Sequence, residues 1–149
     1  MNKYQTRADR IKNIVNFRNG MHHNARQSVA INDMGPLATA IDLEEKCIQN
    51  EYFRRVLWTG AYLQLTVMSI PVGGQIPPET HEDNDQMIYI ERGTAKVIVA
   101  NEYQAQVGEG YGIFIPAGKE HTVKNVSTVP LKLFSVYAPP EHSRGTYQK

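Results

Sequence analysis

Cysteine is nearly absent. The 149 residues contain one, Cys47, so no disulfide can form within the chain. Its fold must rest on a hydrophobic core, and a reducing, cytoplasmic setting is expected. No run of about 18 apolar residues occurs, which excludes a membrane-spanning helix. The first residues, Met1 to Arg7, lack the apolar segment of a secretory leader. Charge of one sign is also scarce. The net charge is +1, with no block of five like charges. Nucleic acid and anionic membrane therefore find no basic patch. Arg7, Arg10 and Lys12, and the pair Arg54-Arg55, are too short to change this and read as solvated faces. No Ser/His/Asp or Cys/His arrangement has supporting context. Cys47 lies in a helix-like stretch with no histidine nearby in sequence, so a buried structural thiol is expected rather than a nucleophile.

What is present suits one soluble domain. Hydrophobic residues make up 41% and charged residues 21%, ordinary values for a globular chain able to bury a core. The chain divides near residue 52. Residues 1–51 are expected to form an N-terminal arm with short helices. Thr6 to Val15 carries Ile11, Ile14 and Val15 on one stripe, with Thr6 as cap. Ile41 to Asn50 is a second short helix. His22 and His23 point opposite ways in an extended chain and read as a solvated pair. Residues 52–140 are dominated by strand signals: Phe53–Thr59, Leu63–Ile70, Gln86–Glu91, Ala95–Ala100, Gly112–Ile115, Thr122–Asn125 and Leu131–Tyr137. Gly73-Gly74, Pro77-Pro78, Arg92-Gly93, Gly108 to Gly110 and Pro116 to Gly118 separate them as turns. Many short strands at this spacing predict an all-β sandwich or barrel. Residues 141–149 read as an irregular tail, with His142 exposed.

Two segments about 40 residues apart carry the chemistry. In the first, Glu79 and His81 are two apart and share a strand face. Gln86 shares a face with Ile88 and Ile90, so an apolar interior holding the isoleucines takes Gln86 inside too. In the second, His121 follows the Pro116 to Gly118 turn at a strand start. Two imidazoles, a carboxylate and an amide oxygen converging inside a barrel suit a divalent ion such as Fe, Mn, Ni or Zn. The same four side chains could instead close on one another in a metal-free interior.

The spacing resembles the cupin superfamily. Its second motif, G-x5-P-x-G-x2-H-x3-N, is met at Gly110, Pro116, Gly118, His121 and Asn125. Its first motif, G-x5-H-x-H-x3–4-E-x6-G, is met in part. Gly73 and Gly93 stand at its ends and His81 at the second histidine. Glu79 replaces the first histidine and Gln86 the glutamate, so ligand charge is conserved. A three-residue spacer would use Asp85 instead. The resemblance spans about residues 60–138 and implies an all-β cupin double-stranded β-helix, or jelly-roll barrel, with a short, partly helical arm before it. It implies metal ligands at Glu79, His81, Gln86 and His121. The ligand types are also similar to those of barrel-type mannose-6-phosphate isomerases, with glutamine and glutamate exchanged. By that resemblance Glu82 or Asp85 would be the catalytic base. Three functions stay open: a sugar or sugar-phosphate isomerase, a metal-dependent dioxygenase of small enols or diols, and a non-catalytic metal- or sugar-binding module. The expected partners are a small-molecule substrate and a second copy of the chain in a homodimer, with the arm covering a sheet edge.

Overall fold

The computed structural model describes residues 33–149. The expected Thr6–Val15 helix and the His22-His23 pair lie outside them. One short helix precedes ten strands: α1 (Leu43–Gln49), β1 (Arg54–Thr59), β2 (Gln64–Ile70), β3 (Gln75–Glu79), β4 (Asp85–Arg92), β5 (Ala95–Val99), β6 (Tyr103–Val107), β7 (Gly112–Ile115), β8 (His121–Asn125), β9 (Leu131–Ala138) and β10 (Tyr147–Gln148). They form two antiparallel sheets, ordered β10-β1-β2-β9-β4-β7 and β3-β8-β5-β6. This is the expected all-β barrel. No helix among the described residues is long and apolar enough to cross a membrane.

Alternation builds the interior. Along β4, Gln86, Ile88 and Ile90 are buried while Asp85 is exposed and Met87 and Tyr89 are half-buried. Register then stacks inward residues in storeys. Gln64, Tyr137 and Gln86 face one another across β2, β9 and β4, and Met68, Leu133 and Ile90 do so two steps along. On the other sheet, Val99, His121 and Glu79 lie across β5, β8 and β3, with Val97, Val123 and Ile76 two residues further along β8. One end of the barrel is therefore polar and the other aliphatic. Each fully buried Ile, Leu or Val contributes roughly 1.5–3 kcal/mol. That apolar end stabilises a fold whose other end holds less well satisfied groups.

A second apolar layer lies on the outer face of the six-stranded sheet. Cys47 packs there with Leu57, Leu65, Val67 and Phe134. Asp42 caps α1 by accepting from the Glu45 amide at 3.0 Å, and the Lys132 ammonium donates to the Asn50 carbonyl beyond its last turn. Burial pushes the Cys47 thiol up to about 12, with Glu91 adding to the effect. The thiol is inert at neutral pH, as expected of a structural cysteine.

Three strands escaped the sequence reading. Pro77-Pro78 sits inside β3, not in a turn. Proline is tolerated because β3 is an edge strand, with its register shifted between Ile76 and Glu79. β6 is also an edge and mostly exposed, so its residues lack the apolar alternation that marks a half-buried strand. β10 lies in the tail expected to be irregular. It pairs with Arg54 and Arg55 of β1, and the Val56 amide bonds the Thr146 carbonyl at 2.9 Å.

Candidate metal centre

β3 ends at Glu79 and β8 begins at His121, and these two residues are paired across the strands. His81 stands two residues beyond Glu79, in the connection to β4. Its carbonyl accepts the Gly118 amide at 2.8 Å, which joins the two motif segments. Gly118 has φ 75°, a left-handed value that glycine adopts without a Cβ penalty. The result is a cluster: one ligand atom each from Glu79, His81 and His121 lies within 4.8 Å of the others. The His81 and His121 rings are 5.4 Å apart.

The tautomers follow from the partners. His121 Nδ1 lies 3.0 Å from the Lys119 carbonyl, which can only accept, so Nδ1 carries the proton. His81 Nδ1 lies 3.1 Å from Glu141 Oε1, and a carboxylate likewise calls for a proton there. Both Nε2 atoms are left with a lone pair in the neutral rings. They face Glu79 Oε1 at 3.4 Å and 3.6 Å, yet both are buried without a hydrogen-bond partner. Gln86 behaves similarly. Its Nε2 donates to Ser135 Oγ at 2.9 Å, and its Oε1 is buried without a partner. Each such group costs about 1–3 kcal/mol if nothing satisfies it.

With both rings neutral, three buried acceptors and a carboxylate describe a cation site, with Arg54 the donor to Glu79. Two ligand atoms about 2.1 Å from one ion and tetrahedrally disposed stand about 3.4 Å apart. The observed 3.4 Å and 3.6 Å separations match. With each Nδ1–H held by an oxygen acceptor, the ring is fixed so that its Nε2 is the nitrogen free to bind a metal. The residues present therefore fit a divalent ion held by Glu79, His81 and His121, with Gln86 Oε1 also available.

The charges are arranged to keep Glu79 ionised. Burial would raise its pKa, but the two imidazoles and the Arg54 guanidinium outweigh burial and hold it well below the usual carboxylate range. An Arg54 terminal nitrogen sits 3.3 Å from both Glu79 oxygens. The Glu79 contact, against the opposing effect of burial, raises the His81 pKa, and Glu141 adds to the rise. Burial raises the Tyr137 hydroxyl. His142 is pushed down to about 4 by burial, then by the Arg54 charge and His81, so it is neutral at neutral pH.

The structure thus brings together Glu79, His81 and His121, and turns Gln86 into the same interior. It does not bring in the two residues expected as catalytic bases. Glu82 and Asp85 are both exposed. Asp85 lies on the outward alternate of β4, and its Oδ1 holds the Ala117 amide at 3.0 Å, which supports the Pro116 to Gly118 turn. Two further expectations are corrected. Arg54 is not part of a solvated face but only 8% exposed, because alternation along β1 turns it in with Val56. His142 is not exposed. Its ring meets Tyr137 edge-on at 4.9 Å and faces His81 at 6.5 Å.

What sequence reasoning missed came mostly from the tail. Gln64, fully buried, accepts the Glu141 and His142 amides at 3.2 Å and 2.8 Å, and donates to the His142 carbonyl at 2.8 Å. That clamp folds residues 139–146 back on the barrel and delivers Glu141 and His142 to the histidines. Asp33 helps by accepting the Gly145 amide at 3.3 Å. For Tyr137 a signal existed, since it alternates with Leu131, Leu133 and Ser135 on β9. For Glu141 and His142 no local pattern could have served.

Comparison with known proteins places this geometry in context. Residues 66–137 match the family described as Cupin domain. YrkC, an uncharacterized protein of Bacillus subtilis, is 37% identical over 125 residues, covering 80% of this chain and 67% of its own. The crystal structure of BH2720 from Bacillus halodurans superposes with a TM-score of 0.77 at 43% identity, covering 78% of this chain and 92% of that one. An RmlC-like cupin with a double-stranded β-helix fold from Methanocaldococcus jannaschii superposes at 0.54 with 19% identity, over 61% of this chain and 84% of that one. The last likeness concerns the fold alone.

Proposed function

The chain belongs to the cupin superfamily, and from that premise we propose that it is a divalent-metal enzyme of the dioxygenase class acting on a small enol or diol. One observation supports the reading: two histidine Nε2 atoms and one carboxylate oxygen converge, each Nε2 buried and without a hydrogen-bond partner. A set of two histidines and one carboxylate with open positions is the arrangement associated with non-haem Fe(II) oxygen chemistry. A bound Fe, Mn or Ni ion would polarise a substrate oxygen and exchange electrons with dioxygen, whereas Zn would supply Lewis acidity alone.

The chain's own residues prepare that site. Lys119 O and Glu141 keep the histidine protons on Nδ1, away from the centre. Arg54 balances the Glu79 charge and keeps the carboxylate ionised. Ser135 turns the Gln86 amide so that its oxygen, not its NH2, is the free end. A sugar-phosphate isomerase is the second reading. It needs a carboxylate base beside the cluster, and Glu141, 3.1 Å from His81 Nδ1, stands nearer that role than Glu82 or Asp85.

Elemental analysis of purified protein beside Glu79→Ala and His121→Ala tests the metal. The wild type is expected to hold close to one equivalent and each variant to lose it. Oxygen uptake with catechol and small enols is then measured on Fe-, Mn- and Ni-loaded protein. Uptake with one of them supports the dioxygenase. No uptake with any metal-loaded form, together with turnover of mannose 6-phosphate, would overturn it in favour of the isomerase.

A further inference from the structure

Three buried polar atoms beside the centre have no part in holding a metal. Tyr137 Oη, Arg54 Nε and His142 Nε2 each lack a hydrogen-bond partner. They share one neighbourhood. The Tyr137 ring is 5.3 Å from His81 and 4.9 Å from His142, both edge-on. The Arg54 guanidinium, which grips Glu79 through a terminal nitrogen, acts electrostatically on both Tyr137 and His142. Tyr137 is completely buried, so its hydroxyl cannot turn to bulk water.

The chemistry of the three groups is uniform in one respect. The Arg54 Nε–H can only donate, the Tyr137 hydroxyl has a proton to donate, and neutral His142 can place its proton on Nε2. Unused donors beside a cluster of acceptors are complementary to a second ligand, not to the cation. Charge points the same way. Arg54 and Glu79 cancel, and Glu141 offsets half of a divalent ion. One positive charge is left over, enough for a monoanion.

We propose that Arg54, Tyr137 and His142 form a substrate-anchoring subsite beside the metal centre, built for an anionic oxygen of a small organic acid or enolate. The proposal rests on the metal-enzyme reading above and names the substrate class for it. In this arrangement the anchor takes one substrate oxygen by hydrogen bonds while the metal centre takes another. A neutral diol that stays protonated would gain the metal contact but not the anchor.

The test is calorimetric titration of the metal-loaded protein with glycolate and with its neutral amide, glycolamide. Wild type, Tyr137→Phe and His142→Asn are compared, with metal content measured on each. Glycolate is expected to bind and glycolamide to bind far more weakly. Tyr137→Phe should weaken glycolate about tenfold, the loss of one such hydrogen bond, with metal content unchanged. Its thermal midpoint should fall little, since the hydroxyl has only a weak contact, to Ser135, to lose. Equal glycolate binding by wild type and both variants, equal binding of acid and amide, or no glycolate binding at all overturns the anchor. A wild type that holds no metal would sink the metal-enzyme reading instead. The anchor is then judged by glycolate binding to the metal-free wild type against Tyr137→Phe.

Discussion

Gln64→Leu should release the C-terminal strap. The Gln64 side chain is fully buried and all of its principal contacts are made: two amides accepted, and donations to the His142 carbonyl at 2.8 Å and Thr59 Oγ1 at 3.0 Å. Leucine is close to isosteric, so packing is largely kept while every hydrogen bond is lost. Left buried, each orphaned strap group would cost about 1–3 kcal/mol. The strap has an escape, because residues 139–146 can lift into water and hydrate those groups. Lifting gives up the Asp33–Gly145 bond and the β10 pairing, so the net cost should be about 2–3 kcal/mol. With an m-value of about 1–3 kcal/mol/M, the urea midpoint should fall by roughly 1 M. Amide hydrogen exchange supplies the decisive readout: Glu141 and His142 should exchange much faster in the variant, while the β4 and β9 amides stay protected. An unchanged midpoint, or wild-type protection at Glu141 and His142, would refute the idea that Gln64 holds the strap.

Asn125→Ala should cost about 2–4 kcal/mol by urea denaturation, because the Asn125 amide donates to the Ile70, Pro71 and Val129 carbonyls and its oxygen accepts twice from Ser127. A midpoint within error of wild type would count against this hub. Gly118→Val should lower stability and metal content together, since φ 75° strains a β-branched residue and the Gly118 amide holds the His81 carbonyl; retained metal at wild-type affinity would separate the turn from the site. Asp33 should give a pH signature. Burial opposes its charge, but bonds from Thr59 and Gly35 and the Arg144 charge prevail and hold its carboxyl below its ordinary value of 3.8. A depressed folded-state value contributes stability that is present above the unfolded value and lost as pH falls through the folded one. Asp33→Asn should therefore be destabilised at neutral pH and flatten the acid limb of the stability profile. A profile parallel to wild type below pH 4 would contradict it.

Much of the barrel was legible because its cause is local. The Gln86, Ile88, Ile90 alternation in β4 states which face is inside, and the turn at Gly118 needs a residue that tolerates positive φ. β3 was hidden because Pro77-Pro78 is a turn signal everywhere except on an edge, and only the sheet order makes β3 an edge. β6 was hidden because an exposed edge strand has no apolar face to write into the sequence.

The sequence by itself pointed to the four side chains of the candidate centre. Alternation turns Gln86 inward with Ile88 and Ile90, and the Gly118 turn puts His121 at the start of β8. Glu79 stands three residues from the inward Ile76 across a register shift and His81 lies beyond β3, so their meeting with His121 rests on the pairing of β3 with β8. Only the tertiary structure decided what surrounds them. Arg54 reaches Glu79 across 25 positions of chain, and Glu141 and His142 reach the histidines because Gln64, 78 positions before His142, folds the tail inward. Such pairings depend on strand register and on the return path of a tail. Neither leaves a periodic trace in the residues themselves.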